Sequence, residues 1–209
     1  MQVILIHGLA RTTASMASMA RTLERHGYCV YTIAYASTRL SIEVAAKQLF
    51  QQVLARIDSS QSVHIVTHSM GAILTRYYLA HYRIVNLQSI VMIAPPNHGC
   101  EIVDRIGHWW LFRYLHGPAG QQLGCGENSL PKQLPTISYP TGIIAGRRRI
   151  PGLFSAFLSK PNDGKVSVAS TRLKGMQDHL LVNAGHTFIM NRPAVHKAVV
   201  RFLQSGRFT

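Results

Sequence analysis

The sequence predicts an α/β fold in which a mainly parallel sheet of about six strands carries helices on both faces. Short apolar runs rich in Val and Ile alternate with amphipathic stretches, which is typical of strands buried between two helical layers. The chain has 209 residues, of which 47% are hydrophobic and 14% charged. A chain of this length and composition can bury one sizeable core. We therefore expect a single domain spanning residues 1–209, with strands at 3–6, 29–34, 63–67, 89–93, 141–145 and 180–183.

The amphipathic segments between these runs predict helices at 14–26, 42–57 and 71–82, with a last helix from Pro193 to about residue 203. Thr12 or Thr13 should introduce the first helix and Gly27 should end it. Ser41 is suited to cap the second helix, because a serine oxygen accepts from a free amide of the first turn. Proline is common at the first position of a helix, which favours a start at Pro193.

Two connections are longer than usual. Residues 97–135 lie between the fourth and fifth predicted strands and form an insertion, in which we expect one helix at 101–115 and a role as a lid or cap. Two interpretations of its aromatic cluster stay open, which are packing against the core and a lipid-facing flap. The cluster consists of Trp109, Trp110, Leu111, Phe112 and Tyr114. The second long connection, 147–177, follows the fifth predicted strand.

The segment 67–71, Thr-His-Ser-Met-Gly, stands where an apolar strand meets a predicted helix. A nucleophile elbow needs such a strand-to-helix turn, with small residues two before and two after the serine. Gly71 meets this requirement. Thr67 departs from the usual glycine, and its branched side chain would crowd the turn unless the neighbouring backbone leaves room. We predict Ser69 as the nucleophile.

A serine hydroxyl needs a base and a group that orients the base. His186 follows the sixth predicted strand and precedes the last helix, so it should lie near Ser69 at the carboxyl edge of the sheet. Asp163 follows the fifth strand and completes the chain order Ser, Asp, His. Asp178 lies at the opposite end of its strand, and the remaining acidic candidates are Glu101 and Asp104. Two further histidines, His179 and His196, fall before the sixth strand and inside the last helix.

An acyl-transfer site also needs backbone donors for the oxyanion. The amide of Met70, which follows the serine, should supply one donor. The amide of Leu9 should supply the other, from the turn at Gly8 after the first strand. We expect His7 to support this loop through hydrogen bonds.

These motifs resemble those of the lipase and esterase branch of the α/β-hydrolase superfamily, in particular compact bacterial lipases. The resemblance covers nearly the whole chain, through residues 5–9, 67–71, 95–99, 162–164 and 185–187. It implies the α/β-hydrolase fold and hydrolysis of a small-molecule or lipid carboxylic ester through an acyl-serine, with no metal and no organic cofactor. A thioesterase or an acyltransferase would use the same triad, and a binding module without catalysis is a further alternative. No catalytic role is carried onto His98.

A formal net charge of +14 favours anionic partners, among which we expect peripheral contact with an anionic membrane. Nucleic acid is not expected, because the densest basic run, 147–149, has no aromatic residues between its arginines. With no leader sequence and no apolar run long enough to span a membrane, we expect a cytoplasmic protein, membrane-associated at most. Cys29 is predicted to be buried in a strand, and pairing of Cys100 with Cys125 stays open. The sequence indicates no oligomeric state.

Overall fold

The computed structural model describes residues 1–148 and 157–209, so Arg149 of the basic run lies outside the described residues. Within these ranges, six strands form one sheet in the order β2-β1-β3-β4-β5-β6, and every neighbouring pair is parallel. The sheet confirms the predicted fold class, and the six predicted strands are present with their ends shifted by at most two residues. The strands are β1 (Gln2–Ile6), β2 (Cys29–Thr32), β3 (Val63–His68), β4 (Leu87–Ile93), β5 (Thr141–Gly146) and β6 (Asp178–Val182).

Eight α-helices and two short 3-10 helices are seen in the described ranges. Ser41 caps α2 by accepting from the amide of Val44, and Gly27 follows α1 with a φ of 81°, as expected. The 3-10 helices are Thr13–Met16 and His186–Asn191. The α-helices are α1 (Ala17–Arg25), α2 (Ile42–Leu54), α3 (Met70–His81), α4 (Glu101–Ile106), α5 (Trp110–Gln121), α6 (Leu130–Gln133), α7 (Val168–Thr171) and α8 (Pro193–Ser205).

The core lies on both faces of the sheet, because side chains alternate along each strand. On β1, Val3 and Leu5 pack in the cluster that includes the buried residues of α1 and α8. Ile4 and Ile6 point to the other face and join the cluster built with α2 and α3. A strand buried on both sides explains why β1 is apolar at four successive positions.

The single helix predicted at 101–115 is wrong. The structure has two helices, α4 and α5, and the second continues to Gln121 with a break at Gly117, whose φ of 61° and ψ of −163° are not helical. A side chain at Gly117 would overlap the carbonyl oxygen of Thr38, so the chain turns here against the loop after β2. Pro118 directly follows the break, where its ring does not obstruct a preceding helical turn.

The prediction for Cys29 is also wrong, because its side chain is exposed. The cysteine lies on β2, which is the edge strand next to β1, and only the sheet interior is covered on all sides. Cys100 and Cys125 are free thiols and do not form the disulfide left open by the sequence.

The strand order reverses between β1 and β3, since β2 lies on one side of β1 and β3 on the other. In open α/β sheets, ligands bind outside the carboxyl ends of the strands at such a switch point. The loops after β1 and β3 are therefore placed to build a site.

Over the described ranges, no helix has the length and apolar character needed to cross a bilayer.

Candidate active site

Ser69 stands alone in the turn between β3 and α3, and its φ of 53° is in the left-handed region. Such a conformation is uncommon for a residue with a side chain and persists where surrounding contacts enforce it. Here the amide of Ser69 donates to the carbonyl oxygen of Ile93 at 2.9 Å, and α3 begins at the next residue. The turn therefore presents the serine at the carboxyl edge of the sheet.

Two glycines lie where neighbouring segments come closest to this turn. A methyl group at Gly8 would stand 3.1 Å from Cβ of Ser69, and one at Gly71 would stand 2.9 Å from the carbonyl oxygen of His7. Thr67 is still part of β3, paired with Ile6 on one side, and is fully buried. A branched side chain is tolerated at Thr67 because this position is extended strand rather than turn.

Three predicted residues come together around the serine hydroxyl. Nε2 of His186 lies 3.0 Å from Oγ of Ser69, and Nδ1 of His186 lies 2.8 Å from Oδ2 of Asp163. The second carboxylate oxygen of Asp163 accepts from the amides of Lys165 and Val166, at 3.0 and 2.8 Å. These bonds hold the carboxylate in a fixed orientation. Nδ1 of His186 then carries the proton, which leaves Nε2 free to accept from the serine.

The alternative acids are engaged elsewhere. Asp178 is the first residue of β6 and accepts from the amide of Phe208 at 2.8 Å. Asp104 accepts from the amide of Cys125, and Glu101 accepts from the amide of Ser159. Each carboxylate therefore closes a local turn or joins two loops away from the serine hydroxyl.

The alternative histidines also have other partners. His179 contacts the hydroxyl of Thr171 through Nε2, and His196 contacts Thr22 and the carbonyl oxygen of Met190. His98 has an exposed side chain and does not line the pocket beside Ser69. His179 and His196 are therefore engaged elsewhere in the fold, and His98 lies outside the pocket.

The amides of Leu9 and Met70 donate to no protein acceptor in the described parts of the chain. Met70 opens α3, where free amides and the helix dipole favour negative charge. Leu9 follows Gly8 and lines the pocket beside Ser69. Both positions agree with donors for an oxyanion.

His7 braces the loop that carries Leu9. Its Nδ1 donates to the carbonyl oxygen of Gly8 at 2.9 Å, and its ring stacks on Tyr35 at a centroid distance of 4.2 Å. The Tyr35 hydroxyl donates to the carbonyl oxygen of His7 at 2.7 Å. Burial lowers the pKa of His7, so a neutral ring performs this supporting role.

His68 takes part in the site although its role was not predicted from the sequence. Its Nε2 donates to the carbonyl oxygen of His186 at 3.1 Å, and the two rings lie 5.1 Å apart. Burial, and then the nearby charge of His186, hold the pKa of His68 well below its usual range. A neutral His68 thus holds the backbone of His186. Its place directly before Ser69 was the available sequence signal.

The pocket beside Ser69 has a volume of about 500 Å³, which is within the range of small-molecule sites. Apolar residues of the insertion form much of its wall, while Arg11 and Lys165 are the two strongly basic side chains among the lining residues that the structure describes. No Asp or Glu is among its described lining residues. The apolar lining residues from the insertion are Ile102, Val103, Ile106, Phe112 and Leu123.

Part of the aromatic cluster of the insertion is buried, and part of it is exposed. Phe112 is buried and faces the pocket, whereas Trp110 and Tyr114 are 76% and 80% exposed. Trp109 and Leu111 are about half exposed, at 46% and 48%. One side of α5 therefore covers the pocket, and the other side presents aromatic surface to the surroundings.

Arg76 joins the two ends of the insertion. From inside α3, its guanidinium donates to the carbonyl oxygens of Asn97 and Leu134, both at 2.9 Å. Its side chain is buried, and burial lowers its pKa to about 10. The sequence signal for this anchor was an arginine within an otherwise apolar helix.

Residues 1–148 and 157–209 hold no group of three His, Cys, Asp or Glu side chains that could bind a metal ion.

Comparison with known proteins gives one family model, described as palmitoyl protein thioesterase, which matches residues 2–134. No curated protein sequence matches the chain. Among solved structures, the mature form of the lipase BlEst2 from Bacillus licheniformis is similar, with 17% identity and a TM-score of 0.67. The alignment covers 99% of this chain and 91% of that one.

Two further solved structures are similar at 18% identity. A metagenomic carboxyl esterase has a TM-score of 0.67, with 98% of this chain and 75% of that chain covered. Phospholipase PlaB from Legionella pneumophila has a TM-score of 0.69, with 97% and 58% covered. The chain thus spans little more than half of that phospholipase, and it spans 50% of the propeptide form of the Bacillus lipase.

Proposed function

Because the chain belongs to the palmitoyl protein thioesterase family and has the α/β-hydrolase fold, we propose that it is a serine hydrolase of carboxylic esters with Ser69 as nucleophile. The observation that carries this proposal is the continuous hydrogen-bond chain from Asp163 through His186 to Ser69. In this arrangement a base contacts the hydroxyl and a carboxylate holds the base in the required tautomer.

In the acylation step, Nε2 of His186 takes the hydroxyl proton as Oγ of Ser69 attacks the ester carbonyl carbon. The carbonyl oxygen becomes an oxyanion, which the amides of Leu9 and Met70 stabilise. Asp163 stabilises the imidazolium. The tetrahedral intermediate then collapses, His186 gives its proton to the leaving oxygen, and the acyl group stays on Ser69.

In the deacylation step, His186 takes a proton from water, and the resulting hydroxide attacks the acyl carbon. Collapse of the second tetrahedral intermediate breaks the bond to Oγ of Ser69. His186 returns the proton to that oxygen, and the carboxylic acid leaves. An acyltransferase would use an alcohol in place of this water.

A thioester is the second candidate substrate, and the description of the matching family favours it. The chemistry is the same, except that a thiol leaves in place of an alcohol. The apolar wall built by α4 and α5 suits an acyl chain in either case, since burying hydrocarbon there removes it from water. Val103 and Phe112 are among the lining residues that an acyl chain would contact.

We further propose that the insertion at 97–135 acts as a lid that contacts anionic lipid surfaces. Exposed aromatic residues on α5 lie beside exposed basic residues of the same insertion, including Arg105 and Arg113. A surface that combines aromatic rings with positive charge suits the interface of an anionic membrane. The net charge of +14 acts in the same direction.

The test is hydrolysis of a matched oxygen ester and thioester of the same short acyl group by the wild-type protein, Ser69→Ala and His186→Gln. We expect turnover by the wild type and a loss of about 10³-fold or more in both variants. Ser205→Ala, on the exposed end of α8, is the control and should keep wild-type rates. Turnover that survives in Ser69→Ala contradicts the proposed mechanism, and folded wild-type protein without turnover favours a binding module.

A further inference from the structure

Two basic side chains face the pocket from loops that also carry proposed catalytic groups. Arg11 follows Leu9 by two residues, and Lys165 follows Asp163 by two residues. Both line the cavity that contains Ser69 and His186. Both residues therefore lie in the pocket that would hold the scissile bond.

Contacts hold the side chain of Arg11 and the backbone of Lys165 in place. Nη2 of Arg11 donates to the carbonyl oxygen of Thr187 at 2.7 Å, and its guanidinium lies 5.5 Å from the centroid of the Phe188 ring. The backbone of Lys165 is held on both sides, since its amide donates to Asp163 and its carbonyl oxygen accepts from the Cys100 thiol at 3.0 Å. A preorganised site loses less entropy when a ligand binds.

Neither Arg11 nor Lys165 forms an ion pair with a carboxylate in the described part of the chain. The ion pairs there are Lys132 with Glu127, and His186 with Asp163. Partial burial of the ammonium group, and then the positive charge of Arg11, lower the pKa of Lys165. An anion placed between two like charges would relieve this repulsion, and the three-donor ammonium and the planar guanidinium both match oxyanions.

The hydrocarbon and charged parts of a substrate would use different walls of the pocket. The apolar wall comes mainly from α4 and α5, which suits the acyl chain, whereas an anion buried against that wall would lose hydration without compensation. The loops that carry Arg11 and Lys165 would therefore contact the part of the substrate on the other side of the ester bond. That side is the leaving group.

We propose that Arg11 and Lys165 form an anion subsite that selects esters whose leaving group carries a phosphate or a carboxylate. The inference rests on the proposed ester hydrolysis at Ser69 and adds the substrate class. The shared chemistry is an oxyanion attached to the alcohol or thiol, at a distance that lets it reach both basic side chains while the carbonyl contacts Ser69.

The experiment compares three butyrate esters of benzyl alcohol, which are unsubstituted, para-carboxylate and para-phosphate. The measured quantity is kcat/KM for butyrate release, expressed as the ratio of each anionic ester to the neutral one. We expect ratios above one for the wild type, and a fall of about tenfold in Lys165→Met and in Arg11→Met. The larger of the two anionic ratios identifies which oxyanion the subsite prefers.

Lys165→Arg keeps the charge and should keep most of the preference. Lys160→Met is the matched control, because Lys160 is an exposed lysine on the same loop that does not line the pocket. Its ratios should equal those of the wild type. Wild-type ratios at or below one, or ratios unchanged in both methionine variants, overturn the subsite.

Binding of benzyl phosphate, measured by calorimetry without turnover, separates the subsite from the proposed chemistry. Binding that weakens at least tenfold in Lys165→Met but not in Lys160→Met supports the subsite, even if no ester is hydrolysed and the proposed function fails. Equal binding to the wild type and Lys165→Met overturns the subsite. If the wild type hydrolyses the neutral ester but benzyl phosphate binds equally to the wild type and Lys165→Met, the proposed function is supported and the subsite is not.

Discussion

A methyl group on Gly71 would stand 2.8 Å from the carbonyl oxygen of Ile6, at the end of the neighbouring strand. The first turn of α3 therefore packs directly on the backbone that leads into the Leu9 loop. This contact positions Ser69 relative to the loop that carries Leu9, one of the two proposed oxyanion donors. A flexible side chain could move aside, but a backbone carbonyl in a central strand cannot.

Gly71→Ala should lower both stability and activity. The added methyl group must push α3 away from β1, and overpacking of this kind costs about 1–3 kcal/mol of unfolding free energy. Because the displacement falls between Ser69 and Leu9, we expect kcat to fall by more than tenfold in protein that is still folded. Urea unfolding and ester hydrolysis give the two values.

Gly126→Ala is the matched control, since a methyl group there meets no atom within 4 Å. It should change neither stability nor turnover. Wild-type kcat in Gly71→Ala would show that the contact with Ile6 does not position the site.

Asp163→Asn should reduce kcat by about 10⁴-fold, because an amide cannot hold the same tautomer of His186 or stabilise its cation. Asp178→Asn should keep near wild-type kcat. Its carboxylate accepts from the amide of Phe208 at the far end of β6. Steady-state kinetics at one pH, with circular dichroism to verify folding, compares the two. If the loss followed Asp178 instead, our choice of acid would be wrong.

Buried neutral histidines should make the protein less stable in mild acid. Burial lowers the pKa of His7, His64 and His68 below 6.5 in the folded state. The unfolded chain then binds more protons than the folded chain as the pH falls below about 6.5, so the free energy of unfolding decreases from there. Above that pH the stabilisation is fully present.

Urea midpoints at pH 8, 6.5 and 5 measure this dependence. His68→Gln should flatten the decrease between pH 6.5 and 5, because one buried proton acceptor is removed. His81→Gln, at an exposed position on the last turn of α3, should leave the decrease unchanged. Equal midpoints of the wild type at pH 8 and 5 would contradict the burial of neutral rings.

Exposed aromatic residues on α5 should contribute to binding of anionic vesicles. The double variant Trp110→Ser and Tyr114→Ser should bind phosphatidylglycerol vesicles at least tenfold more weakly, since each ring would otherwise leave water for the lipid interface. Added salt should weaken binding of the wild type as well. Co-sedimentation measures both effects.

Tyr82→Ser is the control for this experiment, as Tyr82 is an exposed aromatic residue that follows α3. It should bind vesicles like the wild type. If the double variant bound vesicles as tightly as the wild type, α5 would not be part of the proposed membrane contact.

The sheet and the positions of Ser69 and His186 could be predicted from the sequence. Both residues follow apolar strands, and these strands end at the same edge of the sheet. Asp163 could be selected because few acidic residues follow the fifth strand. The structure places these three side chains in hydrogen-bond contact, and their catalytic roles stay a prediction.

Long-range contacts could not be predicted from the sequence. The break at Gly117 depends on the carbonyl oxygen of Thr38, some eighty residues earlier. The anchor at Arg76 depends on two carbonyl oxygens at opposite ends of the insertion. Local periodicity contains neither piece of information.

The most direct test of the central claim is reaction with a fluorophosphonate probe, followed by intact mass and mapping of the modified peptide. The account predicts one adduct on Ser69 in the wild type, no adduct in Ser69→Ala, and much slower labelling in His186→Gln. An adduct on another residue, or none in folded wild-type protein under conditions that label a known serine esterase, would contradict the claim that Ser69 is an activated nucleophile.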